Sequence, residues 1–175
     1  MGEKRIPIVL IVMFILLLLS LRMFHPASDP PETLSMSAGP YGDPGGYAFN
    51  ARNKILFGQW EIDGLNTLHT SPIPTLMTYL SFKAFGIGFT QMNLVPFLFS
   101  CLSLLLLFSL LKKTLNSPVA LTAVAFSFIG INYLFMMYSR IANRVMPMIF
   151  FLVLALICFI KGVKKKNWYF FAGVS

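Results

Sequence analysis

Few side chains in this 175-residue chain are able to do chemistry, and they are unevenly placed. Of the six acids, Glu3 stands alone at the start and Asp29, Glu32, Asp43, Glu61 and Asp63 follow between residues 29 and 63; from 64 to 175 there is none. Asp43 sits in Gly-Asp-Pro-Gly-Gly-Tyr, just ahead of Ala48-Phe49-Asn50-Ala51-Arg52-Asn53. A carboxylate held at the start of a short helix is able to take a proton from a substrate hydroxyl. Asp43-Pro44 is equally a good helix start, because the carboxylate accepts from orphan N–H groups and proline suits the first turn. The two roles are compatible, although a carboxylate tied up by N–H donors is a weaker base.

The cations give a second group. Arg140 and Arg144 are four residues apart, so in a helix both face one site; their alternative is interfacial anchoring, with the heads reaching toward lipid headgroups. Tyr47, Arg52 and His69 are the other candidate substrate contacts. A solvated helix face equally accounts for Arg52 and Lys54, an ordinary loop position for His69, and an aromatic belt for Tyr47 with Trp60, Tyr79, Trp168 and Tyr169. Glu61 and Asp63 read as an exposed turn or as acceptor contacts. Cys101 and Cys158 lie in apolar runs with no CxxC, which argues against a disulfide or a zinc site, and His25 and His69 are the only histidines. No metal-ligand set and no cofactor is expected.

The elements that must position these groups follow from composition. The chain is 57% hydrophobic and 11% charged. A soluble domain is nearer 45–50% apolar and about 25% charged. The net charge of +8 does not signal nucleic acid, since the basic residues flank apolar runs and form no polar patch. An all-α, polytopic membrane protein is expected. Spans are read at about 6–24, 92–111, 118–137 and 145–160, with a further one opening at 167–175. An uncleaved first span is preferred to a signal peptide, because the apolar run is long, Arg22 follows it and no A-x-A site appears. Because the chain stops part-way into the last run, an N-terminal part of a longer protein is expected. An outer loop at about 25–91 carries the Pro and Gly clusters and two surface helices, at about 44–57 and 73–85.

Residues 71–86 read either as a span or as a helix on the membrane surface, and charge separates the two. If they do not span, Lys4, Arg5, Lys112, Lys113, Lys161 and Lys164 to Lys166 all face the cytoplasm, as the positive-inside bias favours. Within the segment, Thr75, Thr78 and Ser81 share one face, and Leu76, Met77, Leu80 and Ala84 the other. The N-terminus is then cytoplasmic, and the large loop with Arg140 and Arg144 lies outside.

The order of these features resembles the lipid-linked-sugar glycosyltransferases of the GT-C fold, closest to the protein O-mannosyltransferase and aminoarabinose transferase relatives. An N-terminal span precedes an outer loop with Asp43 near Gly-Tyr-x-x-Asn-Ala-Arg-Asn, then Leu56-Phe57-Gly58-Gln59-Trp60. Ser71-Pro72-Ile73-Pro74, Lys83-Ala84-Phe85-Gly86 and Tyr138-Ser139-Arg140 continue it over essentially the whole chain. The resemblance implies inverting transfer of a sugar from a polyprenyl-phosphate donor to the hydroxyl of a lipid, glycan or protein acceptor, with Asp43 as catalytic base. It also implies a cation for the departing lipid phosphate, and Arg140 and Arg144 carry the planar donor fork that suits phosphate. The sequence departs from the family where Pro44, not Glu, follows the aspartate, and where Asn143-Arg144-Val145-Met146-Pro147 carries no acid. The rival reading is a non-catalytic polytopic protein, such as a flippase, a permease-like subunit or an inactive homologue. Against it, transport paths usually place ionisable groups within spans, and these spans are almost wholly apolar.

Overall fold

A computed structural model describes residues 8–23, 43–62, 64, 66–114 and 132–164. Seven helices order them: α1 (Ile8–Met23), α2 (Asp43–Phe57), α3 (Thr67–Thr70), α4 (Pro72–Phe85), α5 (Phe89–Thr114), α6 (Tyr133–Tyr138) and α7 (Val145–Lys164). No strand occurs among the described residues. Two of the helices hold stretches long and apolar enough to cross a bilayer, Phe89–Leu110 and Val145–Gly162. At about 1.5 Å per residue, the 26 residues of α5 reach about 39 Å and the 20 of α7 about 30 Å. The fold is all-α and membrane-embedded.

Among the described residues, packing forms two clusters that share α5. Leu18 of α1, Val95, Phe99 and Leu104 of α5, Phe135 of α6 and Met146 of α7 form the first. The rings of Phe99 and Phe150 meet edge-on there at 5.4 Å. Ala48 and Ala51 of α2, Phe82 of α4, Met92 of α5 and Ala142 form the second. The first turn of α5 thus belongs to the loop layer and the rest of it to the helical bundle. Leu98, Leu102 and Leu105 on α5, and Met148, Leu152 and Leu156 on α7, remain exposed. Such stripes suit lipid rather than water. Within α5 the buried hydroxyls of Ser100 and Ser103 donate back to Phe97 O and Phe99 O, both at 2.7 Å, so these two polar groups are satisfied inside the apolar bundle.

The helix ends follow local chemistry. Pro72 and Pro74 occupy the first turn of α4, where a missing N–H costs nothing, and Gly86 closes it at φ 86° with its N–H on Phe82 O. Asn132 caps α6 by accepting from Phe135 N at 3.2 Å. That helix ends after six residues. Residues 115–131 lie outside the described part, and with them most of the expected span at 118–137, as does the expected opening at 167–175.

Helix α4 turns its faces opposite to a helix of a soluble surface. Thr75, Thr78 and Ser81 are buried, whereas Ile73, Leu76 and Leu80 are exposed. The inward hydroxyls donate to Ser71 O, Pro74 O and Gln91 O, each at 2.8 Å. Those bonds remove the cost of burying them, and leave the leucine face for an apolar surrounding.

Candidate functional site

Helix α2 opens at Asp43, whose carboxylate lies outside the described side chains. One turn on, on the same face, Tyr47 is half-buried. The guanidinium carbon of Arg144 lies 6.0 Å from the centroid of the Tyr47 ring. The stretch between α6 and α7 is held against α2 and α5 to make this possible. Ala142 packs beside Ala48, and its N–H donates to Asn93 Oδ1 at 3.0 Å. Arg144 and the first turn of α2 are thus brought together from nearly a hundred residues apart.

Arg140 goes elsewhere. The expectation that Arg140 and Arg144 share one helix face does not hold, because residues 139–144 are not helical. Asn143 is the local cause. Its Nδ2 donates to Tyr138 O at 2.9 Å and to Ile141 O, and its Oδ1 accepts from Val145 N at 2.7 Å. One side chain therefore takes carbonyls at the end of α6 and an N–H at the start of α7, so the chain turns between them. Arg140 then lines a small pocket with Arg22 of α1 and with Thr90, Asn93 and Ser139.

A larger cavity, of about 450 Å³, opens between α2, α4 and the start of α5. Gly45, Phe49, Arg52, Phe82, Gly88 and Met92 are among its lining residues. Its wall is mainly apolar with one cation. Arg52 is exposed, its guanidinium 4.7 Å from the Phe49 ring and donating to Asn53 Oδ1 at 3.2 Å. Gly45 is two residues from Asp43, so this cavity and the first turn of α2 are adjacent.

Other candidates lie apart from this region or act structurally. His69 is exposed on α3 and lines neither space. Glu61 accepts from Asn66 Nδ2 at 2.7 Å in an exposed loop, and Asp63 is outside the described residues. Lys54 donates to Gly58 O at 2.7 Å, closing the C-terminal end of α2. The Trp60 and Tyr79 rings meet at a tilt of 56° with centroids 5.1 Å apart, a contact within the protein. No group of three or more His, Cys, Asp or Glu able to hold a metal occurs among the described residues.

Two residues were missed. Asn50, fully buried, donates to Trp60 O at 2.6 Å and accepts from the N–H and hydroxyl of Thr67 at 2.7 and 2.6 Å. It ties α2 to α3, and nothing in the sequence set it apart, because Arg52, Asn53 and Lys54 follow it and make the stretch read as a polar face. Arg22 read only as a charge flanking a span, yet it is 1% exposed.

Comparison with curated proteins and with solved structures finds no match. Among protein families, the model of dolichyl-phosphate-mannose-protein mannosyltransferase matches residues 69–175, more than half of the chain. The matched part includes His69, Arg140 and Arg144, and leaves Asp43, Tyr47 and Arg52 outside it. With its all-α fold and its lipid-suited helices, the chain belongs to the dolichyl-phosphate-mannose-protein mannosyltransferase family and is a membrane glycosyltransferase of the GT-C type.

Proposed function

We propose that this protein moves a sugar from a polyprenyl-phosphate donor to an acceptor hydroxyl at the outer face of the membrane, with inversion. The carboxylate of Asp43 takes the acceptor proton as the acceptor oxygen attacks the anomeric carbon. The bond from that carbon to the phosphate oxygen breaks, and the lipid phosphate leaves with the electron pair. A guanidinium at the departing phosphate lowers the barrier by meeting charge as it develops. Arg144 takes that role, and Tyr47, with Arg52 in the neighbouring cavity, contacts substrate. The family description favours mannose on the lipid phosphate and a protein as acceptor. The observation that carries this reading is the approach of Arg144 to Tyr47, one turn from Asp43.

The outer-face assignment draws on the lysines that follow α5 and α7, which favour those ends in the cytoplasm. Asp43→Asn is the test, in membranes supplied with a radiolabelled lipid-phosphate sugar. Transfer is expected to fall by at least about a hundredfold, the range of a lost general base, at unchanged protein level. Near-wild-type transfer in that variant would remove Asp43 from the chemistry. Pro44, where relatives carry a second acid, favours one further reading, a copy that binds donor without transferring it. Saturable retention of label without product in the wild type is what that reading requires.

A further inference from the structure

The cavity of about 450 Å³ and the Tyr47–Arg144 contact lie on opposite sides of α2. Gly45, Ala48, Phe49 and Arg52 line the cavity, and their spacing along the helix puts them on one face. Tyr47 is two residues from Gly45 and from Phe49, about 200° round the helix from each. That division has a stereochemical meaning for transfer with inversion. The acceptor oxygen then approaches the anomeric carbon from the side away from the departing phosphate. With the phosphate on the Arg144 side, the acceptor belongs on the cavity side, reached past the first turn where Asp43 stands.

The wall of the cavity sets the kind of acceptor it takes. Phe49, Phe82, Ile87, Phe89 and Met92 give it an apolar lining, and no acid is among its lining residues. Its size falls among small-ligand pockets, about 300–1,000 Å³, and admits amino-acid side chains. Arg52 is the cation of this wall, and it is held from two sides. Its guanidinium carbon lies 4.7 Å from the centroid of the Phe49 ring, and Nη2 donates to Oδ1 of the buried Asn53 at 3.2 Å. A guanidinium has five N–H donors, so the bond to Asn53 leaves others for a ligand, and Arg52 is exposed. A carboxylate matches that fork in two parallel bonds. At about 1.5 Å per residue, Gly45 and Arg52 are about 10 Å apart along α2, a length that an extended peptide covers in about three residues.

We propose that this cavity is the acceptor subsite, and that it takes a peptide segment with an apolar residue beside the hydroxyl-bearing one and an acidic residue about three positions away. Phe49, Phe82 and Met92 receive the apolar side chain. Arg52 takes the carboxylate and is the specificity-determining residue. That such a peptide is an acceptor rests on the glycosyltransferase reading; its charge preference is measured by binding alone.

Equilibrium binding of fluorescein-labelled peptides to the full chain in nanodiscs of neutral phosphatidylcholine tests it. Each peptide holds one serine beside a leucine, with an aspartate about three positions before or after the serine; its counterparts carry asparagine or lysine there. In at least one of the two orders, the aspartate peptide is expected to bind about five- to tenfold more tightly than the asparagine one, between an exposed ion pair and a desolvated one. Arg52→Gln is expected to bring that ratio to about one. Arg52→Glu is expected to make the lysine peptide the preferred one, a reversal that a misfolded variant does not produce. Ile87→Trp enlarges an exposed side chain of the wall and is expected to weaken all the peptides alike by about tenfold or more, the scale of one apolar side chain left unburied. Equal binding of all the peptides, no saturable binding, or unchanged binding in Ile87→Trp overturns the subsite. Supplying a radiolabelled lipid-phosphate sugar, in discs that also hold phosphatidylglycerol, separates this subsite from the reaction. Transfer without preference for the aspartate peptide, or to the lipid hydroxyl in place of the peptide, keeps the transferase and overturns the subsite. Binding whose charge preference Arg52→Glu reverses, without any transfer, keeps the peptide site and overturns the transferase reading.

Discussion

Asn50 illustrates how a polar side chain in an apolar setting acts as a clamp. Its amide serves both ends at once, toward Trp60 O and toward Thr67, while the residue is fully buried. Asn50→Ala strands the Thr67 N–H and the Trp60 carbonyl together. Each buried group left unpaired costs about 1–3 kcal/mol, so a loss of about 2–6 kcal/mol is expected. Unfolding in a detergent–denaturant titration reads this directly, and a loss below about 0.5 kcal/mol would show that water replaces the clamp. Arg144 behaves differently. It is exposed, so its substitution by Gln is expected to leave stability within about 0.5 kcal/mol. Its effect belongs to transfer, where loss of a positioned cation at a leaving phosphate costs on the order of a hundredfold. Wild-type transfer kinetics in Arg144→Gln would detach it from the reaction.

Among the elements, α4 and the link before α7 depend most on fine sequence detail. Gly86 ends α4 at φ 86° and ψ 168°, a region essentially restricted to glycine. Gly86→Ala has open space around its new Cβ, so the penalty is conformational alone. About 1–3 kcal/mol is expected in the same unfolding titration, and a neutral result would mean that the helix end rearranges. The outward leucine face of α4 gives a second test. A nitroxide at Leu76→Cys or Leu80→Cys should collide with oxygen more than with a water-soluble nickel chelate, and one at Lys83→Cys the reverse, if the helix lies on hydrocarbon. Equal accessibility to the chelate at all positions would lift α4 into water. The faces of α4 were legible from spacing, since Thr75, Thr78 and Ser81 recur at helical intervals. Which face turns inward was not, because that depends on whether lipid or protein lies on each side. The link was misread for a related reason: four-residue spacing places Arg140 beside Arg144 only in a helix, and the bonds of Asn143 end that helix between them.

For the whole molecule, the two clusters meet at α5, so the loop layer and the membrane bundle are mechanically joined at its first turn. The proposed orientation follows from charge and is open to labelling. With Cys101 and Cys158 replaced by Ala, Gln59→Cys should react with a membrane-impermeant maleimide in intact cells, and Lys113→Cys only after permeabilisation. The opposite pattern would invert the topology and place Asp43 on the cytoplasmic side.

By itself, the sequence was enough for the class, for the two helices long and apolar enough to cross a bilayer, and for the family. Those rest on composition, on the apolar runs that precede Lys112-Lys113 and Lys161, and on local punctuation such as Pro72 and Gly86, all properties of neighbouring residues. Tertiary structure alone decided which distant groups share a space: Arg144 with Tyr47, Arg140 with Arg22, and Asn93 with Ala142. The physical reason lies in how a charge near an apolar run is read. Along the chain, Arg22 is indistinguishable from a charge that marks a membrane boundary. Only the packing of α1 against α5 and α6 turns it inward, where burial makes its partners matter.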